Sequence, residues 1–325
     1  SCALVTLSKN TIGEMSCNPA IGGLGKSHLV KEIDAMGGIM PLATDMSGIQ
    51  FRTLNTRKGP AVRALRAQCD REMYKTSIQS ILKQTTIEIL EGEVIDLKVE
   101  KGTVIGVLVE NLGTVNAEKI ILTTGTFLNG VMYSGQTKKY GGRLGEKPSI
   151  PLSKRMYGMG LPMGRLKTGT PPRIKLSSLN LEVMDEQPGD LPTPFMSSLQ
   201  KQHTHPKQLS CYITRTSAKT KKIIEEDLHL SAMYSGQIHG IGPRYCPSIE
   251  DKVVKFKNKD THQVFIEPEG VNTDLVYPNG ISSSLPIETQ DQFVRTITGL
   301  EDSVITEYGY AVEYDFVDPR SLHQT

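Results

Sequence analysis

Residues 17–34, CNPAIGGLGKSHLVKEID, decide how the rest of the chain is read. Their centre, Ala-Ile-Gly-Gly-Leu-Gly-Lys-Ser, is one residue away from the triphosphate-binding pattern G-x-x-x-x-G-K-S, with Ala20 in place of the first glycine. A P-loop needs a buried strand directly before it, so that the loop wraps phosphate at the N-terminus of the next helix. The preceding residues, SKNTIGEMSCNP, are polar and contain Pro19, so no buried strand is expected there. No Walker B strand ending in an acid stands out elsewhere. The stretch therefore reads as a glycine-rich turn. Gly22, Gly23 and Gly25 permit positive φ and close backbone approach. Ser27 and the free amides of the following helix could face an anion or a cofactor's polar edge.

Working outward, Leu29, Val30, Ile33 and Met36 recur at helical spacing, and Gly37 and Gly38 stop the helix. KGPAVRALRAQCDREMYKTSIQSILKQ reads as a second, longer helix, with Pro60 in its first turn and Val62, Leu65, Cys69 and Met73 on one stripe. TIEILEGEVIDLKVEKGTVIGVLVENLGTVNAEKIILTTG alternates β-branched and polar residues between glycines. That pattern predicts antiparallel strands ending in an apolar one at residues 120–122. A short helix is expected from about Ser149. Upstream, residues 2–10 (CALVTLSKN) read as a short buried strand and a loop. After GRLKTGTPPRI the chain turns polar with scattered prolines, which predicts an inserted subdomain with long loops. PSIEDKVVKFKNKDTHQVFIEPEG gives a short helix, a basic loop and a strand. SLPIETQDQFVRTITGL gives a further helix, and EYDFVDPRSLHQT shows no clear closing element. The order points to an α/β nucleotide-binding domain carrying an inserted α+β module.

The charge balance, 37 basic against 35 acidic residues, announces no nucleic-acid binding by itself, so any such contact must come from a local patch. The densest cluster is Arg52, Arg57, Lys58, Arg63 and Arg66, which reads either as a solvated helix face or as a phosphate- or RNA-facing surface. Five cysteines without regular spacing give no disulfide framework. There is no C-x-x-C, His203 and His205 form an isolated pair, and G-x-S-x-G is absent. No apolar run is long enough to span a bilayer.

Two cysteines stand apart. Cys17 lies in a loop ahead of a helix. Cys246 lies in GPRYCPSIEDK, where Ser248 and Asp251 match a capping box, so a helix starts at or beside Pro247. The helix dipole and Arg244 favour a thiolate there, while Glu250 and Asp251 oppose it. Cys2, Cys69 and Cys211 read as small hydrophobes, on a strand, a helix stripe and a strand in turn.

Long strings in the same order resemble one family: MSCNPAIGGLGKSHLVKEIDAMGG, GIQFRTLNTRKGPAVRALRAQCDR, LTTGTFLNG, GRLKTGTPPRI, GPRYCPSIEDKV, HQVFIEPEG, YPNGISSSLP and GYAVEYDFVDPR. They resemble the MnmG (GidA) family, which modifies the wobble uridine of certain tRNAs. The resemblance runs from near residue 1 to near residue 320. It implies a glutathione-reductase-like, Rossmann-type FAD-binding α/β domain with an antiparallel β meander and an inserted α+β subdomain. The division it implies is residues 1–172 and 250–325 for the FAD-binding part and 173–249 for the insertion. It implies FAD, NADH and methylenetetrahydrofolate as cofactors and one-carbon donor. The implied partners are tRNA and an MnmE-type GTPase, with a homodimer forming a heterotetramer, in the cytoplasm or, in a eukaryote, the mitochondrion.

The family's two functional cysteines fall on Cys17 and Cys246, and its FAD contacts on Val94 and Ser149. Its NAD-binding stretch falls on Gly242, Pro243, Arg244, Tyr245, Cys246, Pro247, Ser248, Ile249, Glu250, Asp251, Lys252, Val253, Val254, Lys255 and Phe256. The family's glycine-rich FAD loop, its second FAD segment and its helical C-terminal region have no counterpart in these residues. The chain therefore reads as a fragment that binds FAD weakly. Arg215 stands where the family usually has His, and MYSGQTKKYGGRLGE is slightly short. Two readings compete: a related folate- and FAD-dependent tRNA uridine methyltransferase, TrmFO, and a remnant without activity.

Overall fold

The computed structural model describes residues 1–199, 204–242 and 246–323. β1 (Ala3–Thr6) precedes the glycine-rich stretch. Inside that stretch lies β2 (Ala20–Gly22), followed by α1 (Ser27–Ala35) and α2 (Met40–Ser47). β3 (Gly48–Leu54) and β4 (Ala64–Cys69) follow, and β4 pairs antiparallel with β2 on one side and β3 on the other. Residues 64–69 are thus strand and not the expected helix. Two flanking strands satisfy both sides of their backbone, which outweighs local propensity. Helix α3 (Arg71–Leu82) starts only after Asp70, whose carboxylate accepts the Met73 amide at 2.9 Å. The stripe from Val62 to Met73 crosses that N-cap and is not one surface.

β5 (Glu88–Glu91) pairs in parallel with β1. β6 (Val94–Glu100), β7 (Thr103–Val109) and β8 (Gly113–Asn116) form the expected antiparallel meander. The apolar strand expected at residues 120–122 does not form. No segment among the described residues pairs with it, and Ile121 is 86% exposed. Apolar composition gives a segment a reason to be buried but no ladder to join.

β9 (Val131–Ser134) and β10 (Thr137–Tyr140) lead to α4 (Ile150–Gly158), which begins after Ser149 as expected. Leu152 and Met156 of α4 pack on Leu97, Val107 and Val109 of the meander. Then come β11 (Met163–Thr170), β12 (Arg173–Lys175), β13 (Asp185–Gln187), β14 (Cys211–Arg215) and α5 (Ala218–Glu226). The chain continues with α6 (Ile249–Lys255), β15 (Gln263–Pro268), β16 (Leu275–Asn279), α7 (Ile287–Val294), β17 (Ile305–Glu307) and β18 (Tyr310–Val317).

Two sheets matter for the site. One runs β10-β9-β18-β11, the other β13-β14-β15-β16-β12-β17. The second takes β12–β14 from within residues 173–249 and β15–β17 from after them, and its core includes Ile174, Ile266, Val276 and Phe293. β11 leads into β12 through Pro171 and Pro172, so one short passage joins the two sheets.

β18, where no closing element is expected, is the longest partner of β11, from Met163 opposite Val317 to Thr170 opposite Tyr310. Its buried residues include Glu313 and Asp315, which meet Arg165 of β11 at 3.0 and 2.5 Å. Two carboxylates on an inward face hide the alternation by which a strand is read from sequence.

Candidate functional site

Cys17 and Cys246, 229 positions apart in the chain, meet at one carbonyl group. The Cys17 thiol lies 3.6 Å from the Gly169 oxygen, and the Cys246 thiol lies 3.7 Å from the same oxygen. The two sulfurs are therefore no further apart than the sum of those distances. Each also has a hydroxyl neighbour: Tyr277 Oη is 2.9 Å from Cys17 Sγ, and Thr168 Oγ1 is 3.3 Å from Cys246 Sγ. Both cysteines are half-buried, whereas Cys69 and Cys211 are buried and Cys2 is exposed. Burial pushes the Cys69 thiol up to about 12, so it stays protonated, and burial raises Cys211 as well. Cys69 and Cys211 fit the role of small hydrophobes, although Cys69 sits in β4 and not on a helix. Cys2 precedes β1 and is exposed, which corrects its reading as a strand residue in the interior.

A chain of ion pairs fixes the Cys17 loop. Glu269 accepts from Arg173 Nε at 2.6 Å and from Arg71 Nη2 at 2.9 Å. Arg71 also donates to the Cys17 carbonyl at 2.6 Å and to the Met15 carbonyl. Asn18 donates to Glu267 at 2.5 Å, and Glu267 pairs with Arg66 at 2.8 Å. Arg66, read as part of an exposed basic cluster, is thus spent inside the protein. Arg173 lies over the Tyr277 ring, 4.5 Å from its centroid. Burial works against the Arg173 charge, but Glu269, Tyr277 and Cys17 outweigh it and leave the guanidinium more basic than usual. Burial raises Tyr277 well above the ordinary phenol range, and the neighbouring Cys17 adds to this. Burial also raises Tyr310 and Tyr314, the latter beside Cys246, so all three phenols keep their protons at neutral pH.

The glycine-rich turn beside Cys17 is closed on itself. The Lys26 and Ser27 amides both donate to the Gly23 carbonyl, at 3.1 and 3.0 Å, and the Gly23 amide donates to Leu65 at 2.9 Å. Donors that a P-loop would aim at phosphate are turned inward here, and Lys26 is exposed. A three-residue strand, Ala20–Gly22, lies within the stretch itself, but it is only half-buried, and no strand forms in residues 8–19 before it. Gly22 has φ +81, and a Cβ there would strike the Leu65 carbonyl. The glycine serves close approach of two strands.

The remaining sequence-derived positions divide into groups. Val94 opens β6 and packs against the cluster that joins the meander to α4, and the buried Ser149 directly precedes α4. Ser153 of α4 donates to Asp315 at 2.6 Å, and Asp315 pairs with Arg165 of β11. From Arg165 to Gly169 is four residues of strand, about 13 Å. His203, Pro243, Arg244 and Tyr245 lie outside the described residues. Gly242 lies beside the Lys167 side chain. Ser248 and Asp251 form the expected capping box. Ile249 and Val253 are core residues, and Val254 is half-buried on the same helix. Glu250 is fully buried and accepts from Ser231, Ser283 and Ser284. Pro247, Asp251, Lys252, Lys255 and Phe256 line a pocket of about 310 Å³ together with Lys259 and His262. Lys252 is held by the Gly280 carbonyl at 2.7 Å, and burial lowers its pKa.

Residues 1–325 match the family described as GIDA, glucose inhibited division protein A. The chain belongs to the GidA family. Its structure is similar to that of GidA from Aquifex aeolicus in two crystal forms. Identity is 46% with a TM-score of 0.92 for form I, and 43% with 0.91 for form II. Each match covers 99% of this chain but 55% and 52% of the Aquifex chains. The chain thus spans about half the length of those GidA structures. The α/β class and the antiparallel meander expected from the sequence are those of this GidA fold.

Sequence reading placed the two thiols but missed the groups that surround them. Thr168, Gly169 and Arg173 lie in or beside GRLKTGTPPRI, and Tyr277 opens YPNGISSSLP. Those strings signal that something is there. Nothing in them says that Tyr277, flanked by Val276 and Pro278 on a buried strand, turns its hydroxyl to a cysteine.

Proposed function

We propose that this chain carries the thiol centre of a GidA-type, FAD-dependent tRNA-modifying enzyme acting on the wobble uridine. The convergence of Cys17 and Cys246 on the Gly169 carbonyl supports this reading more than any other observation. The fifth carbon of uracil is a poor nucleophile until a group adds at the sixth, and a thiolate is suited to that addition. A second thiol that meets the same carbonyl can move the proton that the first step requires. The group installed is of the carboxymethylaminomethyl type.

The residues present fit a flavin. Ser149 stands at the N-cap of the nine-residue α4, buried, with its hydroxyl bonded to no amide of the helix, so that end retains donors for a cofactor's polar edge. Val94 and Ser149 would hold the FAD, which when bound would supply the hydride and one-carbon redox chemistry. The stretch from Gly242 to Phe256 would bind NADH, with Lys255 and Lys259 beside the pocket offering charge to phosphates. Methylenetetrahydrofolate would provide the carbon, and an MnmE-type GTPase would be the partner of a homodimer in the cytoplasm or mitochondrion.

The test is Cys17→Ser and Cys246→Ser in the complete protein, with mass analysis of tRNA nucleosides. Loss of the modified uridine in both variants is expected. Unchanged levels in both would sink the assignment, and a plain methyl group at the fifth carbon would move the chain to the methyltransferase reading.

A further inference from the structure

The two thiols are built alike but not equally. A carbonyl oxygen has two lone pairs, so Gly169 can accept from both S–H groups at once. Each sulfur then accepts from a hydroxyl: Thr168 for Cys246 at 3.3 Å, Tyr277 for Cys17 at 2.9 Å. The Thr168 hydroxyl is on an aliphatic side chain whose rotamer can change. The Tyr277 hydroxyl is not free in that way. Tyr277 sits in β16 and is 4% exposed, and its ring is covered by Arg173, which Glu269 holds.

We propose that Tyr277 is a positioning residue for the Cys17 thiol, a fixed hydroxyl donor that keeps the Cys17 sulfur supplied with a hydrogen bond when its own proton leaves. The role rests on the reading of Cys17 as a reacting thiol, and it goes beyond that reading by naming the group that governs it. In the thiol state, hydrogen bonds run from Tyr277 O–H to Cys17 S–H to the Gly169 oxygen. When Cys17 loses its proton, the bond to Gly169 is lost and the carbonyl dipole opposes the new charge. The Tyr277 hydroxyl then becomes the only one of these two neighbours that favours the thiolate. The donor can serve because burial holds the phenol protonated through the range in which a thiol ionises. Among the described residues, the other ionisable groups around this point are Arg173 from β12, Tyr310 from β18 and Cys246 ahead of α6, with Arg71 of α3 on the Cys17 backbone. None of them gives the Cys17 sulfur a hydrogen bond.

The experiment needs neither tRNA nor cofactor. Wild type and Tyr277→Phe are treated with iodoacetamide across neutral and alkaline pH, and alkylation is followed at each cysteine by peptide mass. Phe keeps the ring under Arg173 and removes only the oxygen. Cys17 is expected to react three- to tenfold more slowly at neutral pH, about the factor of ten that one pKa unit represents at most, with its profile moved to higher pH. Cys246 is expected to keep its rate, and Cys69 and Cys211 to stay unlabelled. A Cys17 profile identical in the two proteins overturns the proposal. If the substitution exposes Cys69 or Cys211, the reciprocal measurement decides. Cys17→Ala should lower the ionisation midpoint of one tyrosine in a near-ultraviolet titration, and an unchanged titration overturns the proposal. Either result leaves the nucleoside test of the proposed function standing on its own.

Discussion

Glu269→Gln should be among the costliest single substitutions in this chain. The Glu269 side chain is 7% exposed and faces two guanidiniums, Arg173 at 10% and Arg71 at 17% exposure, at 2.6 and 2.9 Å. Glutamine keeps the shape but removes the charge that offsets both cations. Breaking a buried pair in this way costs about 3–5 kcal/mol, because the remaining charge stays buried and uncompensated. Whole proteins are stable by about 5–15 kcal/mol, so the loss is a large fraction of the total. Urea unfolding followed by circular dichroism measures it: the midpoint should fall with the slope unchanged. The Cys17 loop should loosen as well, since Arg71 carries the Met15 and Cys17 carbonyls, and alkylation of Cys17 should accelerate. A loss under about 1 kcal/mol, the range of a solvent-exposed pair, would refute the reasoning.

Three further outcomes follow from the same geometry. Burial disfavours the Glu313 charge, but Arg165 and the His239 and Gly240 amides outweigh it and lower its pKa. Its stabilisation is therefore present above the ordinary carboxylate range and lost as pH falls through the depressed value; thermal melts from pH 7 downward should show this fall, and Glu313→Gln should flatten it. Gly22→Ala forces a Cβ onto the Leu65 backbone at φ +81 and should cost on the order of 1–3 kcal/mol in urea unfolding, whereas Lys26→Ala, on an exposed side chain, should stay within about 0.5 kcal/mol. Arg57, Lys58 and Arg63 are exposed between β3 and β4 and make no ion pair among the described residues. Replacing all three by alanine should weaken tRNA binding and lower its salt slope by about 1 for each phosphate no longer neutralised; an unchanged slope would place the RNA elsewhere.

Much of this architecture is legible from sequence where the determinant is local. Helix α1 follows from apolar spacing and its stop glycines. Helix α6 follows from the Ser248–Asp251 box, since a cap needs only residues three apart. The meander follows from alternation and punctuating glycines. The misreadings have non-local causes. Residues 64–69 have helical spacing yet lie between two strands that the sequence does not show to be neighbours. β18 is hidden because Glu313 and Asp315 are buried, and the partners that make that burial tolerable, Arg165 of β11, Ser153 of α4 and the His239 and Gly240 amides, are distant in sequence. Residues 120–122 have the composition of a strand but no partner for one among the described residues.

The sequence by itself determined that Cys17 heads a glycine-rich turn, that Cys246 precedes a capped helix, and that the turn lacks the setting of a P-loop. Tertiary structure alone decided that both thiols reach one oxygen, because Gly169 lies in the last two residues of β11, where the two sheets join. It also decided which hydroxyl serves which sulfur. Those are distances between residues as much as 260 positions apart, and no local spacing rule encodes them.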